Sequence, residues 1–115
     1  FPNYNDMADN KAYLESIARS FGYFFGKEKN VRVNTISQSP TITTAGKGVK
    51  GLEDFIKYAD LTSPLGNATA EDCADITVTL FSDYTKRVTL QNIFNDGGFS
   101  SVGVSQEIID KLNSK

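Results

Sequence analysis

The sequence predicts an α/β fold whose strands run parallel. Three observations point there. Apolar residues over 5–26 recur at helical spacing. Two β-branched stretches, 31–37 and 88–94, read as strands. A helical segment lies between them, and two strands joined through a helix make a parallel pair with a right-handed crossover. Two parallel strands alone leave both edges open and do not make a stable sheet. Partner strands are therefore expected, either upstream in the gene or in another polypeptide.

The elements follow in order. In the first helix, Leu14, Ile17, Ala18, Phe21 and Phe24/Phe25 keep the i, i+3, i+4 pattern, and Gly26 suits the position after its end. The lysines beyond Gly26 complement the negative helix terminus. The strand over 31–37 leads into a loop of small and hydroxyl residues from Gln38 to Gly46. Residues 51–60 read as a short helix, and Ser63-Pro64-Leu65-Gly66-Asn67 as a turn. Thr69-Ala70-Glu71-Asp72 has capping-box spacing, with Asp where Glu or Gln is usual, and opens a helix over about 70–83. Cys73, Ile76, Leu80 and Phe81 are expected on or near its inner face. The second strand ends at Asp96-Gly97-Gly98, a tight exit, and Ser105–Leu112 can form a last helical turn or two.

Composition narrows the chemistry. The chain has 115 residues, enough for one domain or a piece of one, and a net charge of -2, which argues against a nucleic-acid surface. Lys47, Lys50 and Lys57 are interspersed with acids and read as solvated surface. No apolar run is long enough to span a membrane as a helix. The single Cys73 allows no internal disulfide, fits a reducing compartment, and reads as a small buried hydrophobe. The chain has no histidine, which removes Ser-His-Asp and Cys-His schemes and histidine metal sites within it. Acid/base work must then fall to Tyr, Lys, Asp or Glu. The acidic turn at Asp96 lacks the ligand count for a metal. Asn34, mid-strand, needs hydrogen-bond partners and reads as structural.

The most informative pair is Tyr4 and Lys11. Seven residues is close to two helical turns, so phenol and ammonium share one stripe. A cation near a tyrosine favours its anion, which makes the two an acid/base pair. They lie almost at the first residue, Phe1, which suggests the C-terminal part of a longer enzyme.

The chain resembles the NADH-using enoyl-[acyl-carrier-protein] reductases of the short-chain dehydrogenase/reductase superfamily. The resemblance rests first on Pro2-Asn3-Tyr4-Asn5-x-Met7-x3-Lys11-Ala12-x-Leu14-Glu15. Asn30-Val31-Arg32-Val33-Asn34-x-Ile36-Ser37 and Ser39-Pro40-x-x-Thr43 continue it. Then come Ser63-Pro64-Leu65, Thr69-x-Glu71-Asp72, Leu80-Phe81-Ser82-Asp83 and Asp96-Gly97-Gly98-Phe99-Ser100. The match is collinear over nearly the whole chain. Most of the superfamily spaces the pair as Tyr-x3-Lys, and the wider Tyr-x6-Lys is typical of the enoyl reductase branch. The middle loop and the tail after Ser105 are less diagnostic.

The resemblance implies the C-terminal part of a doubly wound Rossmann-type parallel sheet, ordered helix, strand, flap, helix, strand and incomplete without upstream strands. Residues 1–115 would form one segment of a single domain. Tyr4 would hydrogen-bond the thioester carbonyl of a trans-2-enoyl substrate carried by acyl carrier protein, and Lys11 would hold the nicotinamide ribose. Pro40, Thr41, Ile42, Thr43, Thr44 and Ala45 would contact NADH, with NADPH left open. Met7, Ala45, Val49 and Leu52, with Tyr4, would meet the substrate, and residues 45–61 would be a mobile flap, with Gly46, Gly48 and Gly51 as its joints. A cytoplasmic homotetramer is implied, with no nucleic-acid or membrane partner. Phe21, Tyr23, Phe24 and Phe25 crowd more than one helix face, as a helix covered from several sides requires. The Gly-rich phosphate turn would precede Phe1, so this stretch alone is expected neither to bind the adenosine half of the cofactor nor to turn over.

Blander readings stand beside these. Met7 and the Phe21–Phe25 aromatics are most simply core, and the threonine-rich loop could be a solvated connection. A 3-oxoacyl or other carbonyl reductase would use Tyr4 as proton donor to a ketone, although the wide spacing argues against it. A non-catalytic fragment completing another chain's sheet is the alternative outside the enzymes.

Overall fold

The computed structural model describes residues 4–44 and 51–114. The elements are α1 (Asn5–Lys29), β1 (Thr35–Gln38), α2 (Leu52–Thr62), α3 (Ala70–Phe81), β2 (Asn92–Asn95) and α4 (Gln106–Asn113). Short 3-10 turns occupy Asp83–Thr85 and Phe99–Ser101. The chain divides into two compact units. One holds α1 and the residues up to Ile36, with Thr79–Ile93; the other holds Ser37–Val78 and the chain from Phe94 onward.

The strands form a two-stranded sheet. Thr35 N–H donates to Gln91 O at 2.9 Å and Ser39 N–H to Asn95 O at 3.3 Å, so both strands advance together and the pair is parallel, as expected. Both strands start later than the sequence pattern suggests. The cause lies in Asn34 and Leu90. Asn34 Nδ2 donates to Val88 O at 3.0 Å, and Gln91 N–H donates to Asn34 Oδ1 at 3.1 Å. The side chain thus takes backbone groups that a regular ladder would use. Leu90 adopts φ 62°, which breaks the extended run at that point. Thr89 helps in the same way, accepting from Val33 N–H at 3.0 Å. Asn34 is structural, as its need for partners implied.

α1 runs through Gly26, where the sequence placed its end. The helix stops at Asn30, in the left-handed region at φ 54°, with its N–H on Gly26 O and Val31 N–H on Phe25 O. Asparagine is the usual alternative to glycine at such a cap. Glu15 and Arg19 pair one turn apart at 3.8 Å. Within the same unit, the Arg32 guanidinium donates to Val88 O in the α3–β2 connection and to Leu80 O in the last turn of α3.

The reading of Met7 and the α1 aromatics as core does not hold within this chain. Met7 is 44% exposed, and Phe21, Tyr23, Phe24 and Phe25 all lie near half exposure or above. The described residues cover only about half of each of these side chains.

The α3 capping box forms as its spacing implied. Asp72 N–H donates to Thr69 Oγ1 at 3.2 Å, and Thr69 N–H donates to Asp72 Oδ2 at 2.7 Å. These bonds to Thr69, backbone first and hydroxyl second, hold the Asp72 carboxyl below its ordinary value. Cys73, Ile76 and Leu80 are half-buried, while Phe81 is 84% exposed. Phe81 is the last helical residue and falls a further 100° round from Leu80, off the inner stripe.

In the second unit α4 packs on α2, and Ala59 of α2 is the most buried apolar residue described, at 1% exposure. Phe99 meets the rings of Phe55 and Tyr58 edge-on, with centroids 5.9 and 6.2 Å away. The exit after β2 is as tight as expected. Gly97 and Gly98 both take positive φ, and Leu65 N–H donates to Gly97 O at 3.1 Å. This turn and the Ser63–Gly66 turn lock together.

Candidate functional site

Tyr4 is the N-cap of α1, half-buried, with φ -118° and ψ 12°, and its carbonyl accepts the Ala8 N–H at 2.9 Å. It thus stands at the helix mouth rather than inside the first turn. Met7 and Lys11 follow at i+3 and i+7, both exposed. Those offsets place phenol, thioether and ammonium along one stripe. Chemically this is a hydroxyl donor and a cation separated by a flexible apolar group. Helical spacing alone relates these three sequence-predicted residues.

A second set lies in the loop after β1. Ser39 is 4% exposed, Pro40 and Thr41 are half-buried, and Ile42, Thr43 and Thr44 are exposed. Thr41 Oγ1 donates to Ser39 O at 2.9 Å, so its proton is spent on its own turn while its oxygen still accepts. The loop therefore presents Ile42, 60% exposed, between hydroxyl groups. Leu52, half-buried, opens α2. Ala45 and Val49 lie outside the described residues, as do Lys47 and Lys50.

The start of this loop is held from across the second unit by the turn that follows Gly66. Asn67 Nδ2 donates to Pro40 O at 2.9 Å, Ala68 N–H donates to Ser39 Oγ at 3.2 Å, and Gln38 Nε2 donates to Thr69 O at 3.0 Å. Asn95 Nδ2 donates to Gln38 Oε1 at 2.7 Å and fixes that side chain in turn.

Asp96 is the buried acid of this unit. Burial pushes its carboxyl up. The Ser100 N–H and hydroxyl, then the Gly98 N–H, outweigh that and leave it below the ordinary value. The backbone bonds are 3.0 Å from Gly98 and 2.9 Å from Ser100. The carboxylate caps the Phe99–Ser101 turn. A hollow beside it, lined by Pro64, Leu65, Phe94, Asp96 and Ser101 among others, includes none of the sequence-predicted site residues. Among the described residues no cluster of acids and cysteine is arranged to hold a metal ion, and no helix is long and apolar enough to cross a membrane.

A family model described as Enoyl-(Acyl carrier protein) reductase matches residues 1–100. The chain belongs to the enoyl-(acyl carrier protein) reductase family. It is 36% identical over 99 residues to Enoyl-[acyl-carrier-protein] reductase [NADH] FabI of Bacillus subtilis, covering 85% of this chain and 38% of that protein. The chloroplastic Enoyl-[acyl-carrier-protein] reductase [NADH] of Arabidopsis thaliana is 32% identical over 112 residues, covering 95% of this chain and 29% of that one. Among solved structures, the FabI–NADH complex of Alistipes finegoldii is 63% identical with a TM-score of 0.90, covering 93% of this chain and 38% of that one. The Bacillus cereus reductase solved with NADP+ is 34% identical with a TM-score of 0.85, covering 90% of this chain and 40% of that one. The chain thus spans well under half the length of these reductases.

The sequence pattern marks Ser63-Pro64-Leu65-Gly66-Asn67 as a turn and gives Asn67 no part in the site. Its one local signal is Gly66-Asn67, a turn dipeptide. Nothing in the linear order shows that the amide reaches back to Pro40.

Proposed function

We propose that this chain is part of an enzyme that reduces trans-2-enoyl-acyl-carrier-protein to the saturated acyl form with NADH, the last reductive step of fatty-acid elongation. The observation that carries the proposal is the Tyr4–Met7–Lys11 stripe in a chain of the enoyl reductase family. The loop after β1 fits a dinucleotide: exposed Ile42 suits a planar ring, and the Thr43 and Thr44 hydroxyls suit its polar groups. When bound, NADH supplies a hydride to the β-carbon of the enoyl thioester.

The chain's own groups then have distinct tasks. Electron density displaced from the double bond collects on the thioester oxygen. The Tyr4 hydroxyl donates a hydrogen bond to that oxygen, where charge develops, which is the stabilisation this reaction needs most, and a proton from solvent then adds at the α-carbon to complete the saturated thioester. Lys11 holds the ribose hydroxyls and adds positive charge beside the developing anion. Pro40, Thr41, Ile42, Thr43, Thr44 and Ala45 contact the cofactor. Met7, Ala45, Val49 and Leu52 receive the acyl chain, where flexible apolar surface suits a fatty tail. Residues 45–61 form the substrate flap within a segment, 1–115, of one Rossmann-type domain.

Acyl carrier protein delivers the substrate, and the enzyme works in the cytoplasm as a homotetramer. The half-exposed aromatics of α1 support assembly, because apolar groups beyond one stripe need cover from more than one side. NADH is favoured by the relatives whose names carry it, and the NADP+ complex of the Bacillus cereus protein keeps NADPH as the comparison cofactor.

The test is nicotinamide oxidation by the full-length protein, followed by absorbance, on a short trans-2-enoyl thioester. Turnover there supports the proposal. Turnover on a 3-oxoacyl thioester with none on the enoyl one replaces it with the carbonyl-reductase reading.

A further inference from the structure

We propose that Asn67 is a positioning residue that sets the direction of the Pro40–Thr44 loop and thereby the affinity for the nicotinamide cofactor. This rests on the reading of that loop as a cofactor contact. The loop begins at a proline, Pro40. Its ring locks φ and it has no N–H, so ψ is the one free backbone angle at residue 40. That angle decides where Thr41–Thr44 point. The Pro40 carbonyl turns with it, and Asn67 Nδ2 holds that carbonyl at 2.9 Å.

Asn67 is itself fixed. Its N–H donates to Asp60 Oδ1 at 2.9 Å, and its Nδ2 also approaches Ala68 O at 3.4 Å. With two carbonyls facing the amide, only the NH2 group can point toward them. The other end, Oδ1, is buried with no hydrogen-bond partner. A side chain kept only to satisfy its own turn would not leave a buried acceptor unmatched, because that is costly. The arrangement is explained by what the NH2 group does at Pro40. Ser39 adds a second tie, accepting the Ala68 N–H on its hydroxyl at 3.2 Å. The loop's first two residues are thus held from one neighbouring turn.

The experiment compares Asn67→Asp and Asn67→Ala with the parent full-length protein, using NADH titration by calorimetry, steady-state kinetics and thermal melting. Asn67→Asp keeps the shape and replaces the donor by an acceptor. Thr43→Ala, a change within the loop, reports on the loop itself. The expected result is an NADH Kd and KM raised about fivefold by either Asn67 change, with KM for the enoyl thioester unmoved. A lower melting temperature or smaller active fraction, with the NADH Kd of the folded protein unchanged, overturns the inference. If Thr43→Ala raises Kd while the Asn67 variants do not, Asn67 alone is wrong. If no variant shifts Kd, the loop reading falls and the inference falls with it.

Discussion

A methyl group placed on Gly22 of α1 would sit 2.6 Å from Leu90 Cδ2 and 3.0 Å from Val33 Cβ. Gly22 is the buried residue of α1, and its missing side chain lets the β2 approach lie directly on the helix. The end of the Leu90 side chain can turn aside, but Val33 Cβ is tied to its own backbone, which Leu90 N–H holds through Val33 O at 2.7 Å. Val33 is β-branched and stiff. Gly22→Ala should therefore destabilise the protein by roughly 1–2 kcal/mol, the overpacking penalty outweighing the helical preference for alanine. Four residues on, a methyl on Gly26 would meet only Val31 O, at an ordinary 3.6 Å. Gly26→Ala should gain about 0.5–1 kcal/mol from helix propensity. Denaturant unfolding of the two variants should move the midpoint in opposite directions. Equal shifts would show that the Leu90 contact is not as tight as described.

Gly97 tests the lock between the two turns of the second unit. It takes φ 64°, and a methyl there would drive into the Gly66 carbonyl and crowd Ser63 Cβ at 3.3 Å. Neither backbone can yield without breaking the Leu65 N–H bond to Gly97 O. Gly97→Ala should cost about 3 kcal/mol or more, read as a loss of soluble yield or a lower melting temperature. A melting temperature within a degree or two of the parent would contradict this account of the turn.

The residues that were legible in the sequence are those whose partners lie nearby along the chain. The Thr69–Asp72 box and the turn at Asp96-Gly97-Gly98 are set by short-range geometry and stand where the pattern places them. The end of α1 was missed because Asn30 and Gly26 both suit a left-handed cap, and local preference does not choose between them. The strand starts were missed because Asn34 bonds to residues more than fifty positions away. Phe81 and the α1 aromatics show a different limit. Apolar character says that cover is needed, and not whether this chain supplies it.

Asp96 gives a pH signature. Its folded carboxyl lies below the ordinary value, so the unfolded chain binds protons first as pH falls. The stability it contributes is complete above about pH 4 and is lost as pH drops through the folded value. Asp96→Asn keeps one acceptor and sets an NH2 group against the donors from Gly98 or Ser100. It should lower stability at neutral pH by about 1–3 kcal/mol and flatten the decline below about pH 4. Unfolding measured at pH 7 and pH 3 checks both. An unchanged acid slope in the variant would remove Asp96 as its source.

Tyr4 and Lys11 should separate kinetically in the full-length enzyme. In the proposed reaction the Tyr4 hydroxyl meets the developing charge, so Tyr4→Phe should lower kcat about 10²–10³-fold while the NADH KM stays near the parent value. In the proposed reaction Lys11 bonds a part of the cofactor that does not react, so Lys11→Ala should raise the NADH KM about tenfold or more. Lys11→Arg keeps the charge but not the compact ammonium, and should recover only part of the affinity. Steady-state kinetics with varied NADH at saturating enoyl thioester reads both effects. If the two substitutions changed kcat and KM alike, the helix stripe would be acting as a single structural element. The division of labour between phenol and ammonium would then be wrong.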